Sequence, residues 1–422
     1  MSNRIQIWIV IHNSIHSLLS FIKWVFISIL TGISVGLIGT AFAYSMAFVT
    51  DFRFLHPAII FGLPLGGLLI VGMYKLLKDE NDTGTNMVIS SIRSNGRIPF
   101  RMAPCIFIST VITHLFGGSA GREGAALQLG GSIGSTIGSI LHLNEKDLHI
   151  ITMCGMSAAF SALFGTPLAA ALFPMEVVSI GIMQYAALVP CVVASLVAHG
   201  VASYFGLTPE HFTFTDIPAF SLTSSCTIGL LAILCALISI LFCIILHNTN
   251  HLFQDIFWNP YIRSIAGGCV IIALTLLVGT QQYNGAGMNF IEAFFTEKKV
   301  FPAAFLLKIL FTAVTLGCGF KGGEIVPTFY VGASFGCLFG MVSGFSVNLC
   351  TAVGMAAVFC GVTNSPITSL LISFELFGYE AMPYYLLAIA ISYMLSGYFG
   401  LYSSQKIMYS KYETRFIDRE TS

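Results

Sequence analysis

The chain alternates long uncharged stretches with short clusters of charge. Residues 177–209, 217–254 and 325–374 contain no Asp, Glu, Lys or Arg. One membrane-spanning helix needs about 20 apolar residues, so the third stretch must hold several membrane elements. The pattern predicts an all-α polytopic membrane protein.

Many of the apolar segments are short and are interrupted by Gly or Pro, as in residues 84–91, 123–140, 167–180 and 366–377. Helices that stop inside a bilayer expose their ends, and a bilayer tolerates such ends only around a protected cavity. We therefore expect short broken helices whose ends meet near the membrane midplane.

An internal repeat relates the two parts of the chain. Residues 155–176 and 354–375 both begin with Gly-Met, have Pro at the thirteenth position and end with Glu. A second match relates residues 84–89 to 287–291. Repeats in membrane proteins indicate related halves with a ligand held between them. We expect an N-terminal half (1–210), a C-terminal half (211–422) and no soluble regulatory domain.

The offset of the first match, 199 residues, also aligns Arg122 with Lys321 and Gly124 with Gly323. On this basis we predict that the two segments around residues 122 and 321 are equivalent in the two halves.

A glycine-rich segment, residues 117–134, contains the pair Arg122–Glu123. A carboxylate inside a membrane is costly and is therefore a candidate functional group. Glycines let backbone N–H groups approach a ligand, and a helix that begins at residue 122 or 123 would direct its positive end at an anion. The alternative is a glycine-rich helix-packing face with a salt-bridged Glu.

Composition excludes several other classes of function. The chain is 56% hydrophobic and 9% charged, with a mean hydropathy of +0.85 and no net charge, so nothing indicates a nucleic-acid partner. Its eleven cysteines stand singly, without CxxC or His/Cys clusters. We find no nucleophile–base pair, metal-ligand spacing or phosphate-binding loop, and we expect no enzyme activity, no metal and no cofactor.

The first membrane helix is predicted over residues 18–49, a stretch too long for a cleaved signal peptide. Two predicted spans separate basic clusters, which places the N-terminus in the cytoplasm by the positive-inside rule. The basic residues concerned are Arg4, Lys23, Lys75, Lys78, Arg93, Arg97 and Arg101.

Over nearly the whole chain, these features resemble the CLC family of anion channels and anion/proton antiporters. The segment 121–124 (Gly-Arg-Glu-Gly) is similar to that family's G-[KR]-E-G-P signature, with Ala125 in place of the proline. The segment 322–327 (Gly-Gly-Glu-Ile-Val-Pro) lies where the family has a second glycine-rich motif. The resemblance implies two inverted-topology repeats that build one anion pathway per subunit of a homodimer.

The resemblance also implies roles for single residues. Glu123 resembles the gating glutamate that competes with the anion and takes up protons, and Tyr409 resembles the tyrosine whose hydroxyl contacts the central anion. One of Thr85, Asn86 and Met87 would face the anion, and which of them does so stays open. The other implied anion-binding residues are Gly121, Arg122, Gly124, Gly323, Glu324, Ile325 and Val326.

Departures from the family pattern favour a particular branch. Chloride/proton exchangers usually have a second glutamate at the position of Val177, and the segment 320–324 is similar to the fluoride-exporting branch. We therefore expect fluoride/proton antiport in a bacterial plasma membrane, with lipid around the protein. A chloride/proton antiporter and a passive chloride channel are the alternatives.

Four further residues have competing interpretations. Glu324 either tunes the electrostatic potential of the vestibule or pairs with Lys321 or Arg122. Glu176 and Glu375 are interpreted as structural groups at helix ends, because a buried carboxylate persists only when paired or hydrogen-bonded. His114 is interpreted as a core histidine rather than a proton relay.

Overall fold

A computed structural model of the chain describes residues 2–79, 82–94, 96 and 98–421, with side chains from residue 11 onward. The described part is mostly helical and contains almost no strand. Its α-helices are α1 (Ser2–Leu55), α2 (Leu63–Leu76), α3 (Thr85–Arg93), α4 (Met102–Leu115), α5 (Glu123–Ile140), α6 (Glu145–Phe164), α7 (Pro167–Val177), α8 (Leu188–Tyr204), α9 (Leu222–Ile256), α10 (Pro260–Val278), α11 (Met288–Thr296), α12 (Ala304–Gly317), α13 (Ile325–Ser343), α14 (Val347–Thr363), α15 (Pro366–Phe377) and α16 (Met382–Leu395).

The lengths of these helices fit an integral membrane protein with broken helices. Seven helical segments in the described residues are long and apolar enough to cross a membrane, and shorter apolar helices of 10–17 residues lie between them. Short helices such as α7 and α15 begin at a proline, Pro167 and Pro366, whose missing N–H costs nothing at a helix start. The predicted pattern of short interrupted helices is confirmed.

The first helix is longer than predicted at both ends. It runs over 54 residues, about 80 Å at 1.5 Å per residue, against a hydrocarbon core of about 30 Å. No Gly or Pro occurs before Gly32, so nothing in the sequence ends the helix early. The side chain of Arg4 and the whole of Arg97, both used to predict the orientation, lie outside the described residues.

The helices repeat along the chain, but the offset changes within the repeat. Helices α4 and α12 begin at residues 102 and 304, and α5 and α13 at 123 and 325, an offset of 202. Helix α6 has 20 residues and its counterpart α14 has 17, which reduces the offset to 199 from there on. The prediction that Arg122 aligns with Lys321 and Gly124 with Gly323 is therefore wrong by three positions, and Gly121 aligns with Gly323.

Glycines bring the central helices into backbone contact in both halves. On α5, a Cβ at Gly130 would collide with the carbonyl of Gly155 on α6. On α13, a Cβ at Gly332 would collide in the same way with the carbonyl of Gly354 on α14. Small residues at these spacings are typical of helix pairs in membranes, where close backbone packing supplies much of the association energy.

Two carboxylates join the halves reciprocally. Glu176, near the end of α7, accepts hydrogen bonds from the N–H groups of Ile367 and Thr368 at 2.9 and 2.8 Å, at the start of α15. Glu375, near the end of α15, accepts from Leu168 and Ala169 at 2.8 and 2.9 Å, at the start of α7. The structural interpretation of both glutamates is confirmed.

A small sheet closes the C-terminal end of the described chain. It contains strands β1 (Ser179–Ile180), β2 (Lys406–Tyr409) and β3 (Phe416–Glu420) in that order, with β1 parallel and β3 antiparallel to β2. It attaches the polar tail to the turn that follows α7.

Candidate functional site

The segments that precede α5 and α13 meet at the centre of the molecule. The N–H of Gly121 donates to the carbonyl of Gly323 at 2.6 Å, and the N–H of Gly323 donates to the carbonyl of Gly121 at 2.7 Å. This reciprocal pair brings together the N-termini of the two helices. Helix N-termini have N–H groups without intrahelical partners and a positive partial charge, a combination that favours anions.

The Glu123 carboxylate lies on the first turn of α5 and is turned back toward the start of the helix. Its side chain is 1% exposed. One oxygen accepts from the backbone N–H of Arg122 at 3.0 Å, and the other accepts from the Arg122 Nε at 3.2 Å. Arg122 also contacts Glu210 through its second terminal nitrogen at 3.3 Å. The carboxylate thus occupies donors that an anion could use.

Two glycines leave the space in which these groups meet. A Cβ at Gly121 would lie 2.9 Å from a carboxylate oxygen of Glu123 and 3.0 Å from the Pro327 ring. A Cβ at Gly124 would lie 2.9 Å from the Cα of Gly323 and 3.0 Å from a carboxylate oxygen of Glu324. Larger residues at either position would displace the carboxylates or separate the two segments.

Glu324 precedes α13 as Arg122 precedes α5, and the carboxylate is buried. One of its oxygens has no hydrogen-bond partner within the described residues. Lys321 contacts Asp82 instead, at 3.4 Å, and Arg122 contacts Glu123 and Glu210. The predicted pairing of Glu324 with Lys321 or Arg122 is thus absent as a direct ion pair within 4.0 Å, although Lys321 acts on the Glu324 carboxylate electrostatically. Ile325 and Val326, the next residues, are fully buried.

The structure separates the three candidates at the start of α3. Thr85 is buried, its hydroxyl lies 3.4 Å from the Gly124 carbonyl, and it accepts from the Gln128 side chain at 3.1 Å. Asn86 uses its side-chain oxygen to accept from the N–H of Ser404 at 3.0 Å. Met87 packs against the hydrophobic core. Thr85 therefore lies nearest to the two helix N-termini.

The prediction for Tyr409 is wrong. It lies on strand β2, is 48% exposed and packs its ring against Phe416. Tyr402, seven residues earlier, is 1% exposed, and its hydroxyl has no hydrogen-bond partner in the described part of the chain. The hydroxyl of Tyr402 lies in the electrostatic field of Glu123 and Glu324. Tyr402 takes the place expected for Tyr409.

Two cavities approach Glu123 from different sides. The large cavity, about 1660 Å³, is lined by Thr85, Gln128, Glu324 and Tyr402 among others. The small cavity, about 170 Å³, includes Arg122 in its wall. Glu123 lines neither cavity, and the two cavities share no lining residue; Arg122, which contacts the Glu123 carboxylate, lines the small cavity, and Glu324 lines the large one.

Sequence reasoning missed Gln128 and Tyr402. Gln128 is 3% exposed, and its side-chain oxygen has no partner among the described residues. A lone amide among the small and apolar residues of α5 was a usable signal. Tyr402 carried none, since the chain contains fifteen tyrosines and five lie in its last thirty residues. No group of three or more metal-ligating side chains occurs within the described ranges.

Comparisons with known proteins agree with this architecture. The family model described as "Voltage gated chloride channel" matches residues 66–397. The chain belongs to the CLC family. A CLC relative, the "Chloride/fluoride channel protein" of Pseudomonas syringae pv. tomato, is 35% identical over 397 residues, which cover 92% of this chain and 88% of the relative. The voltage-gated ClC-type chloride channel ClcB of Salmonella typhimurium is 26% identical and covers 82% of this chain and 84% of its own length.

Solved structures confirm the CLC fold of inverted-topology repeats with broken helices. The crystal structure of a CLC-type fluoride/proton antiporter matches with a TM-score of 0.88 and 30% identity, covering 91% of this chain and 98% of its own. A slow cyanobacterial Cl⁻/H⁺ antiporter matches in fold alone, with a TM-score of 0.77, 19% identity, and coverage of 89% and 94%. CLC proteins are transporters or channels, and this chain is an integral membrane member of the family.

Proposed function

We propose that this CLC protein is a fluoride/proton antiporter that exports fluoride across a bacterial plasma membrane. The observation that carries the proposal is the fully buried Glu123 carboxylate at the meeting point of two helix N-termini, where its partner Arg122 lines one cavity and Glu324 lines another. A group at this point can exchange places with an anion and can carry a proton.

The residues support a coupled step. While Glu123 is ionised, its oxygens hold the N–H and the Nε of Arg122. A proton on the carboxylate removes its negative charge and weakens these charge-assisted hydrogen bonds. The side chain can then leave, and the donors at the start of α5 become accessible to an anion. Arg122 keeps a second partner, Glu210, at 3.3 Å throughout.

Small, strongly hydrated anions need closely placed donors to replace their water. The start of α5 and α13 supplies backbone N–H groups, and the hydroxyls of Thr85 and Tyr402 and the amide of Gln128 line the same cavity. This set replaces the one predicted from sequence, in which Tyr409 supplied the hydroxyl. Ile325, Val326, Gly121, Gly124 and Gly323 contribute backbone only.

Fluoride rather than chloride is supported by two observations. The structure at 30% identity is that of a fluoride/proton antiporter, whereas the relative at 35% identity is named for both chloride and fluoride. Val177, which is fully buried, stands where chloride/proton exchangers that the chain resembles have a second glutamate. The proposal includes a homodimer with one pathway per subunit and a cytoplasmic N-terminus.

Efflux from proteoliposomes tests the function. Proteoliposomes are loaded with fluoride or with chloride, and anion efflux is started by a proton gradient across the vesicle membrane. An ion-selective electrode records the anion flux while a pH electrode records the proton flux. We expect fluoride to move much faster than chloride and protons to move in a fixed ratio to fluoride. Equal fluoride and chloride rates would exclude fluoride selectivity, and anion flux without protons would indicate a channel.

The Glu123→Gln variant tests the role of the carboxylate. Glutamine keeps the shape of the side chain but cannot take up a proton near neutral pH, so proton movement should stop. Glu292→Gln, an exposed glutamate on α11, is the matched control and should transport as the unmodified protein does. Stoichiometric proton movement that persists in Glu123→Gln would overturn the assignment. Chemical cross-linking in mild detergent that yields only monomer would contradict the homodimer.

A further inference from the structure

Arg53, near the C-terminal end of α1, is a buried cation that the proposed mechanism does not use. It is 2% exposed and lines the small cavity. Its Nε and Nη1 atoms are buried and have no hydrogen-bond partner within the described residues. The guanidinium lies over the Phe54 ring, 5.1 Å from its centroid, but a ring does not replace these hydrogen bonds. An unpaired buried donor costs more free energy on a charged group than on a neutral one.

A second buried cation lies next to it. Lys308 on α12 is fully buried and donates to the carbonyls of Tyr283 and Gly285 at 3.2 and 2.7 Å. The Arg53 guanidinium contacts the same glycine, because a Cβ at Gly285 would lie 2.8 Å from its Nη1. Carbonyl dipoles solvate the ammonium group of Lys308 but do not cancel its charge.

His114 completes the polar wall behind the small cavity. It is 2% exposed, its Nδ1 lies 2.9 Å from the Thr110 carbonyl, and its Nε2 has no partner among the described residues. The interpretation of His114 as a core histidine accounts for the hydrogen bond of Nδ1. It does not account for Nε2, which is buried without a hydrogen-bond partner in the described residues. Both Arg53 and Lys308 act on the imidazole electrostatically.

The carboxylates near the cavity do not neutralise these cations. No Asp or Glu in the described ranges lies within 4.0 Å of the charged nitrogens of Arg53 or Lys308. Glu210 is held by Arg122 at 3.3 Å, and Asp51 is exposed at the mouth of the cavity. Neither Arg53 nor Lys308 therefore has a carboxylate partner within 4.0 Å in the described part of the chain, although Asp51 and Glu210 line the small cavity.

The wall of the small cavity is hydrogen-bonded to residues 117 and 118, in the segment that precedes Glu123. The Gly117 carbonyl accepts from the Asn284 side chain at 2.8 Å, and the Gly118 carbonyl accepts from the Gly285 N–H at 3.0 Å. Arg122 lines the same cavity and contacts the Glu123 carboxylate. Arg122 therefore links the wall of the small cavity to the Glu123 carboxylate.

We propose that the small cavity is a second anion-binding site, in which Arg53 holds a monovalent halide on the far side of Glu123 from the large cavity. The identity of the transported halide rests on the proposed function, but binding at Arg53 does not. The anion supplies a counter-charge to the Arg53 guanidinium, which lines the cavity and has no carboxylate within 4.0 Å among the described residues. The site would keep a released anion from returning to the helix N-termini when Glu123 takes its place again.

Bromide is the probe for the direct test, because its anomalous scattering locates it in crystals. Crystals of the purified full-length protein are soaked in sodium bromide, and anomalous maps are compared for the unmodified protein, Arg53→Gln and Arg53→Lys. Arg101→Gln is the matched control: Arg101 contacts Asp79 at 3.0 Å and lines neither cavity. We expect a peak beside residue 53 in the unmodified protein, in Arg53→Lys and in Arg101→Gln, and none in Arg53→Gln.

Transport supplies an independent measurement. In Arg53→Gln, the fluoride concentration that gives half-maximal uptake from the side of the small cavity should rise about tenfold, because a nearby unit charge is lost. Arg53→Lys keeps the positive charge, so its half-maximal fluoride concentration should lie close to that of the unmodified protein. If Arg53→Gln does not yield a stable dimer, Arg53→Lys and the unmodified protein still decide the crystallographic test.

The outcomes separate this proposal from the proposed function. Absence of bromide at Arg53 in the unmodified protein, or a peak that survives in Arg53→Gln, overturns the second site and leaves fluoride/proton exchange intact. Bromide at Arg53 together with efflux that lacks protons or prefers chloride supports the second site and overturns the function.

Discussion

Replacing Gly323 with alanine should damage the candidate site more than any other single methyl group added there. A Cβ at position 323 would collide with the N–H of Gly124 and would lie 3.0 Å from its Cα and 3.3 Å from the N of Glu123. All three neighbours are backbone atoms at the start of α5. The segments that precede α5 and α13 therefore have to separate.

Two contributions set the magnitude. Insertion of a methyl group into a packed interior costs about 1–3 kcal/mol. Separation also strains the two hydrogen bonds between Gly121 and Gly323, at 2.6 and 2.7 Å, each worth about 0.5–1.5 kcal/mol. The expected loss of folding free energy is about 2–6 kcal/mol. If half of the lower limit, about 1 kcal/mol, is added to the free-energy barrier for transport, the transport rate falls about fivefold.

Gly200→Ala is the matched control, because Gly200 lies on α8 and a Cβ there meets nothing within 4 Å. In a helix interior this change should be neutral or stabilising by up to about 1 kcal/mol. Thermal unfolding in detergent and fluoride efflux from proteoliposomes are measured for both variants. Gly323→Ala with the unfolding midpoint and efflux rate of Gly200→Ala would refute the close contact between the two segments.

Two further substitutions test individual side chains. Tyr402→Phe removes a buried hydroxyl without a partner in the described chain, so fluoride affinity in efflux assays should fall, whereas Tyr409→Phe alters a half-exposed ring and should have no effect. Equal losses in both would contradict the assignment of Tyr402. Glu176→Ala removes the acceptor of two N–H groups at the start of α15 and should lower the unfolding midpoint, at about 1–3 kcal/mol per buried unpaired donor. Glu292→Ala is its exposed control, and equal midpoints would contradict the capping role.

The sequence predicted those features that depend on local composition. Uncharged stretches identified the membrane helices, and Gly and Pro identified the interruptions, because these residues act on the backbone wherever they stand. Glu123 was evident because a carboxylate in an apolar chain has few structural explanations. Glu176 and Glu375 were interpreted correctly for the same reason, although their partners on the opposite half were not predicted.

The features that were not predicted depend on helix lengths and on which distant segments the fold brings together. The offset of 199 residues fails at Arg122 because the helix α6 is three residues longer than α14, and a repeat read at one place does not report a length change elsewhere. Tyr409 was assigned from the resemblance alone, and the assignment fails because the tail folds into strands that carry Tyr409 outward, whereas Tyr402 is buried. Arg53 was not singled out from the sequence, because its burial and its place in the wall of the small cavity depend on the packing of distant segments.

The reciprocal carboxylates also constrain the order of events during synthesis. The N–H groups of Leu168 and Ala169 emerge from the ribosome some 207 residues before the Glu375 carboxylate that accepts from them. At about 5–20 residues per second, this interval is about 10–40 s. Unpaired N–H groups are costly in lipid, so the start of α7 cannot settle in the hydrocarbon region during that time. The first half therefore has to wait, partly inserted, until the second half is made.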